Sequence, residues 1–218
     1  MTNRAFDLIV FDWDGTLVDS TALIAGSLQL AAADLGLPVP SNEDAQHIIG
    51  LSLMHALSWL FPGLGADQYE ALIDRYRVHY LKRDSEIALF NNVRELLVGL
   101  RDDGYLLAVA TGKARQGLDR ALLQADLGQL FDATRCADET FSKPHPQMLL
   151  ELIDELMVEP ARVLMIGDTT HDLQMAANAG TAALAVTCGA HPSEQLLGEP
   201  HLAMLADVSG LREWLASV

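Results

Sequence analysis

The sequence predicts an α/β protein whose core is a Rossmann-like parallel sheet, with an α-helical domain inserted near the start of the chain. Two observations predict this fold. Short, continuous apolar runs alternate along the chain with stretches of helical periodicity, which is typical of a parallel sheet with crossover helices. One strand–helix–strand unit takes about 30 residues, and the separation between the first two runs exceeds this length by about 60 residues.

The predicted strands are continuous runs of apolar, strand-forming residues, as expected for strands that are buried on both faces. The intervening helices carry apolar residues along one face. Strands are predicted at residues 7–11, 106–110, 131–133, 163–166, 183–186 and 202–204. Helices of the core are predicted at residues 93–100, 114–123, 147–156 and 172–179.

The surplus segment is helical in pattern almost throughout. An Ala- and Leu-rich helix is predicted over 21–35, and Gly36 and Pro38 end it because both residues disfavour helix continuation. A second helix is predicted to start near Ser41, and an amphipathic helix covers 66–82. We therefore expect an α/β core domain formed by residues 1–17 and 89–218, and a helical domain of residues 18–88, called the cap below.

The composition argues against several classes of function. The chain has 218 residues, half of them hydrophobic, and 14 Lys+Arg against 30 Asp+Glu give a formal net charge of −16. Nucleic acids and anionic membranes both require basic surfaces, so neither is an expected partner. The two cysteines, Cys136 and Cys188, form neither a disulfide framework nor a Cys-x-x-Cys site. Because no leader or membrane-spanning run is recognised, we expect a cytoplasmic protein that is a monomer or a homodimer.

Polar residues follow the predicted strands at their carboxyl ends, which is the edge where open α/β sheets bind ligands. Asp12 and Asp14 follow the first strand, and residues two apart in an extended chain face the same side. Paired carboxylates of this kind can divide their work between a nucleophile and an acid/base. Gly15 permits a sharp turn, after which backbone N–H groups and the Thr16 hydroxyl are predicted to hold an anion.

Three further polar clusters follow later strands. Thr111 and Gly112 offer a hydroxyl and N–H groups to a phosphate oxygen. Lys143, on a loop with two prolines, supplies positive charge in a chain that has only three lysines. Asp168 and Asp172, with the first carboxylates nearby, make an oxygen-rich site suited to Mg²⁺. Each cluster by itself also fits a helix cap, a solvated lysine or an acidic helix N-terminus.

Together the clusters form an ordered set of motifs: Asp-x-Asp-Gly-Thr at 12–16, Thr at 111, Lys-Pro at 143–144 and Gly-Asp-x-x-x-Asp at 167–172. In this order they resemble the haloacid dehalogenase superfamily, and in particular its phosphoglycolate phosphatase-like members with a helical cap after the first motif. The resemblance covers nearly the whole chain. The second motif departs from the commoner Ser/Thr-Asn form, since Gly112 has no side chain to contribute.

The resemblance implies a Mg²⁺-dependent phosphatase that hydrolyses a small phosphate monoester through an aspartyl-phosphate intermediate. Asp12 would attack the phosphoryl group, while Asp14 would protonate the leaving alcohol and later activate water. Thr111 and Lys143 would bind the phosphoryl oxygens. A cluster of carboxylates would repel a phosphate dianion unless Mg²⁺ and Lys143 were present. The implied metal site comprises Asp12, the main-chain carbonyl of Asp14, Asp168 and Asp172.

Alternatives of two kinds remain open at the level of sequence. A phosphomutase of the β-phosphoglucomutase type would use the same two aspartates but return the phosphoryl group to a sugar. A binding or regulatory protein on this fold would hold the same ligands without turnover. Within the family, the acid at Asp14 is the feature expected of a phosphatase or a mutase and absent from dehalogenases.

The cap is expected to close over the site and select the substrate. Its predicted specificity loop, residues 47–52, includes His47 and Gly50. No Lys or Arg occurs from Ala5 to Asp74. A substrate with a second anionic group would want a cation from the cap, so this distribution of charge weakens the case that the resemblance alone makes for phosphoglycolate. Phosphoglycolate, pyrophosphate, a nucleoside monophosphate and a sugar phosphate all stay open as substrates.

Overall fold

The protein is described by a computed structural model that covers residues 4–218. Six strands form one sheet in the order β3-β2-β1-β4-β5-β6, and every neighbouring pair is parallel. This arrangement confirms the predicted fold class. The strands are β1 (Leu8–Phe11), β2 (Leu106–Thr111), β3 (Ala133–Cys136), β4 (Val163–Gly167), β5 (Ala182–Val186) and β6 (Ala203–Leu205).

Helices cover both faces of the sheet because successive side chains of each strand point to opposite faces. In β1, Ile9 and Phe11 pack in one apolar cluster with the helices Val93–Asp102 and Arg115–Ala125. Leu8 and Val10 pack in a second cluster with the helices Gln147–Leu156 and Thr170–Ala179. All four side chains are fully buried. The core helices are α5 (Val93–Asp102), α6 (Arg115–Ala125), α7 (Gln147–Leu156), α8 (Thr170–Ala179), α9 (Ser193–Leu196) and α10 (Leu211–Leu215).

The edge strand β3 lies later in the chain than residues 131–133, where the sequence predicts it. Ala133 is the first residue of β3 to pair with β2, opposite Ala108. Asp132 instead lies in the connection before β3. Its carboxylate accepts hydrogen bonds from the Leu107 N–H at 2.8 Å and from Arg101 at 3.1 Å. Polar, half-buried residues are tolerated within β3 because the strand lies at the edge of the sheet.

Residues 18–88 form four α-helices, whose apolar side chains pack in a separate cluster. This cluster includes Leu28, Ile49, Leu57 and Leu72. The helix α3, which the sequence pattern did not predict, begins after Ser52, whose hydroxyl accepts from the His55 N–H at 3.3 Å. The cap helices are α1 (Thr21–Asp34), α2 (Asn42–His47), α3 (Leu53–Leu60) and α4 (Ala66–Leu81).

Two short segments connect these helices to the sheet and run side by side. Val18 forms an antiparallel bridge with Leu89. The Asp19 N–H donates to the Ala88 carbonyl, and the Phe90 N–H donates to the Leu17 carbonyl, both at 3.0 Å. The chain therefore enters and leaves the helical insertion at one place. Within residues 4–218, none of the helices combines the length and the apolar character needed to cross a membrane.

Candidate active site

The candidate site lies at the carboxyl edge of the sheet, where β1, β2 and β4 end next to one another. Because β1 is central and parallel to both neighbours, Asp12 lies between Thr111 of β2 and Asp168 after β4. The loop before α7 adds Lys143. All four side chains are fully buried. The structure thus brings together residues that are more than 150 positions apart in the sequence.

Asp12 has one fixed and one free carboxylate oxygen. Its Oδ1 accepts a hydrogen bond from the Trp13 N–H at 2.6 Å and lies 2.9 Å from Lys143 Nζ. Its Oδ2 is buried and has no hydrogen-bond partner within residues 4–218. Burial raises the pKa of Asp12 well above its usual value, although the ammonium of Lys143 acts in the opposite direction. A buried, unpaired acceptor is unfavourable by itself, so Oδ2 is the atom best placed to meet an electrophile or a cation.

The turn after β1 depends on two residues beside Asp12. Trp13 points away from the site into the core, where its ring meets that of Phe131 edge to face at 6.5 Å between centroids. Gly15 adopts a φ of +79°, and a Cβ atom at this position would collide with the carboxylate of Asp168. Glycine is therefore required here both for the backbone conformation and for the close approach of Asp168.

Lys143 is the cation at the base of the site. Its Nζ lies 2.9 Å from Asp12 Oδ1 and 2.6 Å from Asp172 Oδ1. Burial alone would lower the pKa of Lys143, but the two carboxylates beside it raise the pKa above its usual value. Lys143 therefore remains charged and is shared between Asp12 and Asp172.

Asp168 and Asp172 are both fully buried and hydrogen-bonded. Asp168 accepts from the Thr16 hydroxyl and from the Ala190 N–H, each at 2.7 Å. Asp172 Oδ2 accepts from the Thr169 hydroxyl at 2.6 Å. Burial, reinforced by the charge of Asp172, raises the pKa of Asp168 to about 7. The Thr16 hydroxyl is thus engaged with Asp168, and its contact with a substrate anion stays a prediction.

Three carboxylates meet closely enough to share a metal ion. Oxygen atoms of Asp12, Asp168 and Asp172 all lie within 4.8 Å of one another. Three carboxylates with one ammonium leave an excess of negative charge in a buried volume, which a divalent cation would balance. Hard oxygen ligands of this kind suit Mg²⁺. The unpaired Oδ2 of Asp12 is an acceptor that such a cation would satisfy. The described residues therefore fit a divalent cation.

Asp14 faces a different set of partners, which sequence reasoning missed. Its carboxylate accepts from Lys113 Nζ at 2.9 and 3.0 Å and from the Ser20 hydroxyl at 2.6 Å. Lys113 also donates to the Tyr80 hydroxyl of α4 at 3.0 Å. Burial alone would lower the pKa of Lys113, but the adjacent Asp14 contributes to raising it. The available signal was the scarcity of lysine, since Lys113 directly follows two residues assigned to the site.

Thr111 and Gly112 lie beneath the cap. Both line a cavity between the cap and the core that also contains Gly50. A Cβ atom at Gly112 would lie 2.5 Å from the Gly50 carbonyl oxygen and would also collide with the Leu51 carbonyl. The absence of a side chain at position 112 therefore lets the loop after α2 rest on the turn after β2.

His47 lies outside that cavity, in an aromatic cluster between cap and core. The His171 and His191 Nε2 atoms donate to the His47 carbonyl at 2.9 and 3.0 Å. The ring of His47 stacks on His191 at 5.3 Å and lies 5.0 Å from that of Trp59. Burial lowers the pKa of His171 to about 4 and also lowers that of His191. A role for His47 in substrate selection stays a prediction.

A parallel sheet with buried aspartates at its carboxyl edge and a helical insertion after the first strand defines an α/β enzyme with a capped site. Residues 9–186 match the family described as haloacid dehalogenase-like hydrolase. The chain belongs to this family. The predicted family is confirmed, and so is the prediction of a hydrolase.

Similar proteins agree with this assignment. The "Probable phosphatase IndB" of Dickeya dadantii is 36% identical over 194 residues, which cover 87% of this chain and 84% of the relative. The phosphoglycolate phosphatase of Aliivibrio fischeri is 34% identical, with 87% of each chain covered. The crystal structure of a hydrolase from Pseudomonas syringae has the same fold, with a TM-score of 0.89 at 21% identity over 97% of this chain and 99% of that one. The predicted likeness to phosphoglycolate phosphatase-like members is therefore also confirmed.

Proposed function

We propose that this protein is a Mg²⁺-dependent phosphatase that hydrolyses a small phosphate monoester through an aspartyl-phosphate on Asp12. The observation that carries this proposal is the buried, unpartnered Oδ2 of Asp12, next to an Oδ1 that Trp13 and Lys143 hold in place. A nucleophile needs one oxygen free and a fixed orientation, and Asp12 has both. Relatives named as phosphatases support the same reaction class.

The reaction proceeds in two displacements. In the first, an oxygen of Asp12 bonds to phosphorus, the bond between phosphorus and the ester oxygen breaks, and that oxygen takes a proton from Asp14. In the second, water attacks phosphorus, Asp14 accepts a proton from the water, and Asp12 is released together with inorganic phosphate. The Lys113 ammonium engages both oxygens of Asp14, and Oδ2, which accepts no other hydrogen bond within residues 4–218, keeps a lone pair for the transferred proton.

Other residues bind and orient the phosphoryl group. Lys143, already between Asp12 and Asp172, offers its charge to the phosphoryl oxygens, and the Thr111 hydroxyl and the N–H of Gly112 contribute neutral donors. Asp12, Asp168, Asp172 and the main-chain carbonyl of Asp14 are the groups proposed to hold Mg²⁺. When bound, the ion neutralises negative charge on the phosphoryl oxygens.

We further infer that residues 18–88 act as a mobile cap on a core of residues 1–17 and 89–218. The pairing of Val18 with Leu89 supports these limits, because both connections to the cap pass through that point. Two adjacent linkers let the cap rotate with few backbone changes. Closure excludes water from the site, and the loop that contains His47 and Gly50 then meets the substrate.

The central test replaces the nucleophile. Asp12→Asn is expected to lower phosphate release from p-nitrophenyl phosphate in the presence of Mg²⁺ by at least about a thousandfold. Asp19→Asn is the matched control, because Asp19 is exposed and has no part in the proposed reaction. Turnover near that of the wild type in Asp12→Asn, with both variants folded by circular dichroism, would overturn the mechanism.

The same preparation separates a phosphatase from a phosphomutase. A phosphatase releases inorganic phosphate from β-glucose 1-phosphate or leaves this ester unchanged. Formation of glucose 6-phosphate would instead identify a mutase.

A further inference from the structure

A cavity lies next to Asp14, the residue proposed above to protonate the leaving alcohol. It has a volume of about 890 Å³ and lies between the cap and helix α6. Cavities of roughly 300–1,000 Å³ hold drug-sized organic molecules. This volume is far larger than a two-carbon acid requires, so the cavity fits a bulky alcohol.

The cavity wall is mainly apolar. Burial of apolar surface is the main source of affinity for a ligand in such a site. Two stacked aromatic rings, with centroids 5.7 Å apart, add a flat surface to the aliphatic side chains. The principal apolar residues of the wall are Ile24, Leu28, Ile49 and Ile73, and the aromatic pair is Tyr76 and Tyr80.

The cation of the cavity wall that lies beside Asp14 is already neutralised. Lys113 Nζ lies within 3.0 Å of both carboxylate oxygens of Asp14, and both side chains are about nine-tenths buried. A substrate carboxylate that recruited Lys113 would leave Asp14 as an unpaired buried charge, which is strongly unfavourable. Lys113 is therefore committed to the protein itself.

The other cations of the wall are also paired. Arg120 lies 3.4 Å from Asp84, and Arg77 lies 3.7 Å from Asp74 at the exposed rim. Among residues 4–218, the wall contains four carboxylates and three cations, so it opposes an additional anion. The charged residues of the wall are Asp12, Asp14, Arg77, Asp84, Lys113, Arg120 and Asp138.

Apart from Asp12 Oδ2, one polar group on a half-buried side chain of the wall has no partner within residues 4–218, and this group is uncharged. The Tyr76 hydroxyl makes no hydrogen bond to any of the residues 4–218, although its side chain is half-buried. Burial raises the pKa of this phenol, which keeps it a neutral donor. A neutral donor in an apolar wall recognises a neutral acceptor without the desolvation that an ion would require.

Resting on the phosphatase activity proposed above, we propose that the site acts on phosphate monoesters of uncharged alcohols with a bulky apolar or aromatic body. Esters whose alcohol carries a carboxylate or a second phosphate are poor substrates.

The test compares esters that differ only in the charge of the alcohol. We expect kcat/KM for benzyl phosphate to exceed that for 4-carboxybenzyl phosphate and for phosphoglycolate by at least about tenfold, the equivalent of about 1.4 kcal/mol. Equal values, or a preference for either carboxylate ester, would overturn the proposal and would mean that Lys113 leaves Asp14 for the substrate. Absence of phosphate release from every ester would instead refute the proposed function.

A variant with an added cation tests whether the charge of the cavity wall causes the preference for uncharged alcohols. Gln116 is exposed on α6 and lines the cavity. Gln116→Arg adds an unpaired cation to the wall and is expected to narrow the preference for benzyl over 4-carboxybenzyl phosphate by at least about threefold. Gln129→Arg adds the same charge at an exposed position outside the cavity and should leave the preference unchanged. An identical response of the two variants would show that net charge, and not the cavity wall, sets the preference.

Discussion

Lys143→Met removes the ammonium from the buried carboxylate cluster and leaves a side chain of similar length. In the wild type, Lys143 Nζ lies 2.9 Å from Asp12 and 2.6 Å from Asp172, and all three side chains are excluded from solvent. Removing one partner of such a buried ion pair lowers the free energy of unfolding by about 3–5 kcal/mol, because the remaining charges stay buried without compensation. We expect a loss of this size at pH 8.

The loss should shrink as the pH falls. Burial already raises the pKa of Asp12 and raises that of Asp168 to about 7, and loss of the ammonium raises the pKa of Asp12 further. A carboxyl group whose folded-state pKa lies above its unfolded-state value takes up a proton in the folded state first, so stability rises as the pH decreases between the two values. The deficit of Lys143→Met is therefore smaller at pH 5.5 than at pH 8.

Urea unfolding followed by circular dichroism, in EDTA at both pH values, measures this difference. Lys82→Met is the control, because Lys82 is an exposed lysine outside the site. It should leave the unfolding midpoint unchanged at either pH. A deficit of Lys143→Met that is the same at pH 8 and pH 5.5 would refute the electrostatic explanation and point to a loss of packing alone.

Two further predictions concern the metal and the cap. Mg²⁺ at ten times its dissociation constant should stabilise the metal-free protein by about 1.4 kcal/mol, or a few degrees in Tm, at pH 8. At the same Mg²⁺ concentration the shift in Tm should be smaller at pH 5.5, because protonation of Asp168 competes with the ion. Equal shifts in Tm at the two pH values would contradict this account. Gly112→Ala should lower kcat/KM by about tenfold to a hundredfold, because the added methyl group displaces the cap loop at Gly50 and Leu51. Gly26→Ala is the matched control in steady-state assays, because a Cβ atom at Gly26 would meet nothing within 4 Å. An equal loss of kcat/KM in both variants would show that displacement of the cap loop is not the cause.

Much of the fold and of the site's location could be predicted from the sequence because both depend on simple periodicities. Strands buried on both faces appear as unbroken apolar runs, and in a parallel sheet the residues after each run meet at one edge. This logic predicts that Asp12, Thr111 and Asp168 share one edge of the sheet, whereas Lys143 stands out because lysine is scarce in the chain. It failed at β3, where half-buried polar residues pair at the edge of the sheet and leave no apolar run to detect.

Contacts between cap and core could not be predicted in the same way. The partnership of Lys113 with Asp14 and Tyr80 joins three segments whose separation in space is set by the packing of α4 on α1 and by the position of the cap on the core. The carbonyl of His47, which accepts two hydrogen bonds, is a main-chain group that no side-chain motif reveals. The sequence shows that Gly112 departs from the common motif. The structure supplies the reason for a glycine here, because the loop at Gly50 and Leu51 rests on position 112.

The central position of β1 also imposes an order on biosynthesis. Its four apolar residues emerge from the ribosome before either neighbour in the sheet, because these neighbours begin only at Leu106 and Val163. At translation rates of about 5–20 residues per second, β1 remains without a strand partner for roughly 5–20 s while the helical insertion is made. An unpaired apolar strand is a template for aggregation. The insertion, which has an apolar cluster of its own, can fold during this interval beside the exposed strand. The segment proposed to select the substrate is thus also able to collapse before β1 gains either of its neighbours in the sheet.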